Sequence, residues 1–173
     1  MGGCLLSLED LLIEEKPVLF LDLDGTVRTS KTGEFIDGKD DIKIIEGRKE
    51  ALSSYQDHVI VGVTNQGGVA HGHKTPDQVH EENEKTNELL GGVFDFIEFS
   101  PCHSESDDEV FGRKSLLRKP MIGMLVRAEA KLIQDYHIFP NYDDSIMVGD
   151  REEDQECANR AGISFQWAED FFA

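Results

Sequence analysis

The sequence has few cysteines, no long apolar run and no basic leader, and each of these shortages excludes a class of protein. Its three cysteines, Cys4, Cys102 and Cys157, lie far apart in the 173 residues, so we expect reduced thiols and no disulfide framework. No apolar stretch reaches the roughly 18 residues that span a membrane. The first residues also lack the basic segment of a signal peptide. These features predict a cytoplasmic protein without a membrane partner.

Basic side chains are also scarce. The chain has 17 Lys and Arg against 35 Asp and Glu, which leaves a formal net charge of -18. Such a chain repels polyanions at long range, and this argues against nonspecific binding to nucleic acids or anionic membranes. A small basic pocket for one phosphate group is still compatible with this charge.

Short apolar runs alternate with helical patterns along the chain, which predicts an α/β domain with a central parallel sheet in three layers. The runs that predict strands are 18–21, 59–63, 93–97, 146–148 and 163–167. The segments that predict helices are 46–55, 76–90, 120–136 and 152–161, together with a short leading helix over 7–15. The length suits an N-terminal helical extension over 1–16 and one domain over 17–173.

Polar residues directly follow three of the predicted strands. Asp22 and Asp24 follow the first strand, Thr64 and Asn65 follow the second, and Asp150 follows the fourth. The carboxyl ends of parallel strands meet at one edge of a sheet, where open α/β sheets bind ligands. We therefore expect these side chains to converge.

The converging carboxylates predict a magnesium site. Asp22 and Asp24 are two residues apart on extended chain, so their side chains leave on the same side, and Asp150 adds a third acid. Three such acids need a cation, and hard oxygen ligands select Mg²⁺. The Thr64 hydroxyl and the Lys119 ammonium suit phosphate oxygens, so the set predicts phosphoryl transfer.

Each of these residues alone has a simpler interpretation. Thr64 and Asn65 are typical helix caps. Asp150 and Asp154 are favourable acids at the start of a helix. The argument for a site is that all of them follow successive apolar runs in the same register.

Four segments resemble, in order, the four motifs of the haloacid dehalogenase superfamily. They are DLDGT at 22–26, VTNQG at 63–67, RKP at 118–120 and VGDREED at 148–154. The resemblance is to its small class III phosphatases, which include heptose-bisphosphate and histidinol-phosphate phosphatases and the phosphatase domain of polynucleotide kinase. It covers about residues 17–165 and implies a Rossmann-like fold. Residues 25–63 leave no room for a cap domain, so an open site is expected.

The resemblance implies a phosphatase that works through an aspartyl-phosphate. Asp22 matches the nucleophile of that superfamily, and Asp24 matches its acid/base. Thr64 matches the phosphate-binding hydroxyl, and Lys119 matches the charge-neutralising lysine.

The remaining positions that the resemblance assigns bind metal or substrate. Asp22, the carbonyl of Asp24 and Asp150 match the magnesium ligands, with Asp154 as a supporting acid. Asn65 and Arg118 join Thr64 and Lys119 as the predicted substrate-binding residues.

The sequence departs from this group of phosphatases at two places. Ser115 and Leu117 occupy two cysteine positions of a zinc loop found in similar heptose-bisphosphate phosphatases. Structural zinc needs four ligands, so we predict Mg²⁺ and no zinc. His71 and His73 stand where those relatives carry other basic side chains, so the substrate contacts there are not carried over.

Substrate class is the least determined prediction. The acidic charge favours a small phosphorylated metabolite, a sugar or amino-alcohol phosphate. The alternative is a polynucleotide 3'-phosphatase, which a basic rim of Arg28, Lys31, Arg113 and Lys114 would serve. A receiver-like switch and a non-catalytic phospholigand-binding module are further alternatives. The pattern does not predict an oligomeric state.

Overall fold

The computed structural model describes residues 14–33 and 35–173, and within them strands alternate with helices as predicted. The strands are β1 (Glu14–Lys16), β2 (Val18–Leu21), β3 (Arg28–Ser30), β4 (Ile42–Ile44), β5 (Val59–Asn65), β6 (Phe96–Ser100), β7 (Ile138–Pro140), β8 (Ile146–Gly149) and β9 (Ser164–Trp167). The α-helices are α1 (Arg48–Leu52), α2 (Pro76–Leu90), α3 (Gly123–Lys131), α4 (Glu152–Ala161) and α5 (Ala168–Phe171).

The central sheet has five parallel strands in the order β6-β5-β2-β8-β9, which confirms the predicted α/β fold. Strand β2 lies in the middle, where Leu19 pairs with Ile60 on one side and with Ile146 on the other. All four residues of β2 are fully buried. Burial on both faces explains why this strand is a continuous apolar run and not an alternating one.

Side chains of β2 alternate between two separate cores, and this produces the three layers. Phe20 packs into the core that contains Met124 of α3 and Ala158 of α4. Leu19 points to the opposite face, where the core includes Leu90 of α2. The sheet therefore has helices on both faces, and its carboxyl edge is left open for a site.

Between β2 and β5 the chain forms a small antiparallel hairpin and the short helix α1. Strands β3 and β4 pair so that Arg28 lies opposite Ile44. The absence of a cap domain between residues 25 and 63, Glu34 being outside the description, agrees with the sequence prediction.

The helix boundaries are partly as predicted. Helices α2 and α4 have the predicted ends, because α2 begins at a Thr75 capping box and both helices end at left-handed glycines. Predicted helix 46–55 is shortened to α1, since left-handed Gly47 precedes its first residue. Predicted helix 120–136 is instead α3 followed by a π-helical turn, Leu132–Tyr136.

The third predicted strand begins three residues later than expected. Residues 93–95 connect α2 to β6, and the Asn87 side chain binds both backbone groups of Phe94 there. These two hydrogen bonds satisfy Phe94 locally, so the strand starts only at Phe96.

The prediction of a leading helix over 7–15 is wrong at its C-terminal end. Residues 14–16 form β1, which pairs in parallel with β7, so tertiary pairing overrides the local helical pattern. The rest of that predicted helix, residues 7–13, lies outside the described residues. In the part of the chain that the structure covers, no helix has the length and apolar character needed to cross a membrane.

Candidate active site

A buried lysine stands at the centre of the carboxyl edge of the sheet. Lys119 is 1% exposed, and its Nζ lies 2.6 Å from Asp22 Oδ1 and 2.7 Å from Asp154 Oδ1. The same ammonium donates to the Val63 carbonyl at 2.7 Å. Asp22 follows β2, Val63 lies in β5 and Asp154 opens α4, so one charge joins three elements of the fold.

Three carboxylates meet beside this lysine. Asp22, Asp150 and Asp154 each place one oxygen within 4.8 Å of the others. The sequence prediction had the side chain of Asp24 in this cluster, and the structure has Asp154 in its place. Asp154 reaches the cluster because its position in the first turn of α4 turns it towards Lys119.

Two glycines make the close approach of these acids sterically feasible. Gly25 has φ +91°, and a Cβ on it would overlap the carboxylate of Asp150. A Cβ on Gly149 would overlap the carboxylate of Asp154 in the same way. A larger residue at either position would displace an acid from the cluster, so these glycines are part of the site.

Asp24 is directed away from the other acids by two donors. Arg28 Nε lies 2.7 Å from Asp24 Oδ1, and Gln66 Nε2 donates to Asp24 Oδ2 at 2.6 Å. Gln66 also donates to the Thr64 hydroxyl at 2.9 Å, which links the acid to the predicted phosphate-binding residue. Arg28 is fully buried, so its predicted place in an exposed basic rim is wrong.

The Asn65 side chain holds the backbone of Lys119 in place. Its Oδ1 accepts from the Lys119 N–H at 2.9 Å, and its Nδ2 donates to the Lys119 carbonyl at 3.0 Å. A further bond joins Nδ2 to Glu153 Oε1 at 3.1 Å. These contacts engage the Asn65 amide with the protein, whereas its predicted contact with substrate stays a prediction.

A cluster of histidines lies beside Arg118 and Gly67 of the second motif, and the sequence analysis did not bring it together. The rings of His71 and His103 have centroids 4.8 Å apart, and His73 lies 6.2 Å from His71. A Cβ on Gly67 would meet His103 Cδ2 at 3.0 Å and Arg118 Nη1 at 3.3 Å. Two loops after β5 and β6 thus place imidazoles and a guanidinium next to the second motif. The convergence is tertiary, so spacing along the chain gave no signal of it.

The acids exceed the basic charge that compensates them. Burial, with the repulsion of Asp154, raises the pKa of Asp22 to about 7 although Lys119 opposes the shift. Burial also raises the pKa of Asp150. Burial opposes the charge on Lys119, but Asp22 and Asp154 outweigh it and raise the pKa of Lys119. The ammonium therefore stays charged, and a further cation would favour the ionised acids.

The pKa of Asp24 shifts in the opposite direction. Burial acts to raise it, but the charge and hydrogen bond of Arg28, together with the hydrogen bond from Gln66, outweigh burial and lower it. Asp22 and Asp24, only two residues apart, thus have pKa values shifted in opposite directions. Such a separation is typical of acids with different roles in one reaction.

Comparisons with known proteins show the family of the chain. A family model described as polynucleotide kinase 3 phosphatase matches residues 17–172. A D-glycero-beta-D-manno-heptose-1,7-bisphosphate 7-phosphatase from Haemophilus ducreyi is 36% identical over 154 residues, covering 86% of this chain and 80% of that protein.

Two solved structures are similar to the chain at 26% identity. One, from Mesorhizobium loti, is described as a HAD-like phosphatase and has a TM-score of 0.72, covering 94% of this chain and 74% of that chain. The other is a D,D-heptose 1,7-bisphosphate phosphatase from B. bronchiseptica complexed with magnesium and phosphate. Its TM-score is 0.67, and the match covers 86% of this chain and 78% of that chain.

The fold and the acidic edge define a phosphatase of the haloacid dehalogenase superfamily, as the motifs predicted. Within that superfamily the chain belongs to the polynucleotide kinase 3 phosphatase family. It is an enzyme, a phosphoric monoester hydrolase. The alternatives of a receiver-like switch and of a non-catalytic binding module are therefore wrong.

The raised pKa of Asp22 predicts a pH-dependent loss of stability in EDTA. Its value of about 7 lies above the ordinary 3.8, so folded protein retains a proton that unfolded protein loses. The stabilisation from this proton is complete below about pH 4 and declines as the pH rises to about 7. We expect wild type to lose, over this range, more than about 1.4 kcal/mol of unfolding free energy relative to Asp22→Asn. Urea unfolding of both proteins at several pH values measures the difference, and parallel profiles would contradict the prediction.

Proposed function

We propose that the chain is a magnesium-dependent phosphomonoesterase that forms an aspartyl-phosphate on Asp22 and acts on a small phosphorylated sugar. The observation that carries the proposal is the contact of 2.6 Å between Asp22 Oδ1 and Lys119 Nζ inside a group of three carboxylates. A nucleophilic acid, a fixed cation and further oxygen ligands are the parts that phosphoryl transfer needs.

The residues at the edge fit a magnesium ion. Asp22, Asp150 and Asp154 offer oxygen atoms to a hard cation. Lys119 contacts Asp22 and Asp154, and Arg151 lies 3.9 Å from Asp150, so two basic groups face three acids. Among the described residues, this is the one group of at least three His, Cys, Asp or Glu side chains with metal-binding spacing. That finding supports Mg²⁺ over zinc. When bound, Mg²⁺ would stabilise negative charge on the phosphate oxygens.

In the first step an Asp22 oxygen attacks phosphorus and the bond from phosphorus to the leaving oxygen breaks. Asp24 donates a proton to that oxygen, so the product leaves as an alcohol. The pKa of Asp24 is lowered in the free protein, and the negative phosphate of a bound substrate would raise the proton affinity of Asp24. Lys119 and the Thr64 hydroxyl bind the transferring phosphate oxygens. Arg118, whose guanidinium lies beside Gly67 of the second motif, binds the rest of the substrate.

In the second step Asp24, now ionised, accepts a proton from water as the water attacks phosphorus. The bond between phosphorus and Asp22 breaks, which restores the carboxylate and releases inorganic phosphate. Gln66 bridges Asp24 and Thr64 through bonds of 2.6 and 2.9 Å, so the acid/base and the phosphate-binding hydroxyl keep a constant separation in both steps. Such fixed positioning is a main source of rate in phosphoryl transfer.

A small sugar phosphate is the substrate class that fits these features best. The related heptose-bisphosphate phosphatases support it, and so does the net charge of -18. Two members of the basic rim that a nucleic acid would use are engaged elsewhere. Arg28 is buried against Asp24, and the Lys31 ammonium donates to the Asp40 carbonyl.

A polynucleotide 3'-phosphatase remains the second candidate because the family model carries that description. The lack of a cap domain between residues 25 and 63 would admit an extended strand. Arg113 donates to the Glu109 carbonyl at 2.6 Å, so this part of the rim is also partly committed to the protein itself.

Removal of magnesium should stop turnover. We expect EDTA to abolish hydrolysis of p-nitrophenyl phosphate and excess Mg²⁺ to restore it, because the carboxylates then regain their cation. Zinc added at the same free concentration should not restore the rate. Elemental analysis that finds one tightly held zinc per chain would contradict the assignment.

Substitution of the two acids of the first motif should affect turnover to different extents. Asp22→Asn should abolish turnover, because an amide does not attack phosphorus. Asp24→Asn should keep the nucleophile, but its turnover rate should fall by a factor of about 10²–10⁴ because the acid/base group is lost. Steady-state kinetics measures both, with circular dichroism as the control for folding. Substantial activity in Asp22→Asn, with deamidation excluded by mass spectrometry, would remove Asp22 from its role.

Substrate preference decides between the two candidate classes. We expect kcat/KM for sugar phosphates to exceed that for a 3'-phosphorylated oligonucleotide at every salt concentration. The comparison should include a sugar bisphosphate and an amino-alcohol phosphate. An oligonucleotide preferred about a hundredfold at low salt, with a steep fall as salt rises, would instead establish the polynucleotide activity.

A further inference from the structure

Arg28 is a fully buried arginine that contacts the active site at one end and a helix at the other. Arginine is almost never fully buried unless its charge is paired. Its Nε lies 2.7 Å from Asp24 Oδ1. Its Nη1 donates to Thr86 Oγ1 at 2.7 Å and to Asn83 Oδ1 at 3.1 Å, both in α2. A rigid guanidinium therefore joins the hairpin strand β3, the first motif and α2.

We infer that Arg28 is a positioning residue that aims the Asp24 carboxylate at the leaving oxygen of the substrate. The inference rests on the proposed function, because it gives Asp24 the acid/base role. It assigns to Arg28 no contact with the substrate, since the side chain is 0% exposed. Arg28 acts through Asp24.

The orientation of Asp24 follows from its two donors. Arg28 contacts Oδ1, and Gln66 contacts Oδ2 at 2.6 Å, so both carboxylate oxygens have a fixed partner. Asp24 itself is 35% exposed and follows the last residue of β2 by three positions, so packing alone does not restrain it. Without Arg28 only the hydrogen bond from Gln66 would restrain the carboxylate, and Oδ1 would lose its partner.

The charge of Arg28 is matched to Asp24 and not to the nearby acid of α2. Glu82 is also buried, but Lys74 Nζ binds both of its oxygens, at 2.8 and 3.0 Å. The hydrogen bond from Arg28 to Glu82 goes to the backbone carbonyl of that residue, at 3.3 Å, and not to its carboxylate. The interior thus contains two separate pairs, Arg28 with Asp24 and Lys74 with Glu82. Loss of Arg28 would leave Asp24 without its counter-charge.

Arginine suits this position better than lysine for a geometric reason. Its planar fork reaches Asp24 with Nε while Nη1 is held by Thr86, so the contact to the acid is anchored to a helix. A lysine would keep the positive charge but lacks the rigid plane of the guanidinium. Its contacts to Asp24 and to α2 would therefore not have a fixed relative direction. Arg28→Lys therefore separates the aiming of Asp24 from the field that acts on it.

Leaving-group dependence tests the inference. An alkyl phosphate needs a proton on its leaving oxygen, whereas p-nitrophenyl phosphate departs with little help. We expect Arg28→Lys to lower kcat/KM for a sugar phosphate about 10²-fold, which is typical of lost acid catalysis, and for p-nitrophenyl phosphate less than about 10-fold. The quantity kcat/KM covers the steps up to departure of the alcohol. Equal losses on both substrates would show a merely structural role and overturn the inference.

A double-mutant comparison gives a second, independent test. In an Asp24→Asn background Arg28→Lys should cause little further loss on the sugar phosphate, because the residue it positions is already inactive. Additive losses would contradict the inference. Thr86→Val removes the anchor while retaining Arg28, and it should change the same substrate ratio by about 3–10-fold. This variant answers the question even if Arg28→Lys does not fold, and an unchanged ratio would count against the inference.

Lys74→Met is the matched control. It removes a cation whose charge also acts on Asp24 but which forms no hydrogen bond or ion pair with that acid within the described residues, so it changes the field at Asp24 and not its aim. Its losses should be equal on the two substrates, and a substrate ratio like that of Arg28→Lys would overturn the inference. If wild type hydrolyses neither ester, the proposed function fails. If wild type is active but the ratio is unchanged in Arg28→Lys and Thr86→Val, only the inference about Arg28 fails.

Discussion

The contacts of the Lys119 ammonium are the interaction on which the rest of the site depends. This group is 1% exposed and is held by Asp22, Asp154 and the Val63 carbonyl at 2.6–2.7 Å. Buried ions are expensive, and removal of one partner leaves the others uncompensated. The register of β2, β5 and α4 at the carboxyl edge must therefore be correct for the charges to be paired. Asn65, which holds both backbone groups of Lys119, adds the fourth constraint.

The same arrangement explains why the site suits a reaction and not only stability. Two of the three carboxylates contact the buried lysine, and burial together with the repulsion of Asp154 raises the pKa of Asp22 to about 7. A protein optimised for stability would replace such a group with apolar side chains. Gly25 and Gly149 allow the acids to approach, and this indicates that the local backbone is adapted to the cluster. A cluster of acids of this kind is useful where a cation and a phosphate bind together.

The sequence predicted those parts of the fold that depend on local pattern. Strand β2 and helices α2 and α4 were correct to the residue, because burial on both faces, a capping box and C-cap glycines act over a few positions. The β1–β7 pairing was missed because its partners are distant in sequence, and the π-helical turn after α3 was also missed. In the site, the convergence at one edge was predictable from strand order. The direction of the Asp24 side chain was not, because Arg28, at a position with no recognised motif, and Gln66 hold it away from the other acids.

This difference between Asp22 and Asp24 shows how one short motif produces two chemical environments. Both acids leave the same strand end, yet Asp22 faces the buried lysine while Asp24 faces an arginine and the Gln66 amide. The partners come from opposite directions, since Lys119 precedes α3 and Arg28 is anchored to α2. The two helices lie on opposite faces of the sheet, with Met124 of α3 in one core and Leu90 of α2 in the other. The three-layer fold is thus the physical reason that two acids of one motif have different environments, because the cation beside Asp22 precedes a helix of one layer and the cation beside Asp24 is anchored to a helix of the other.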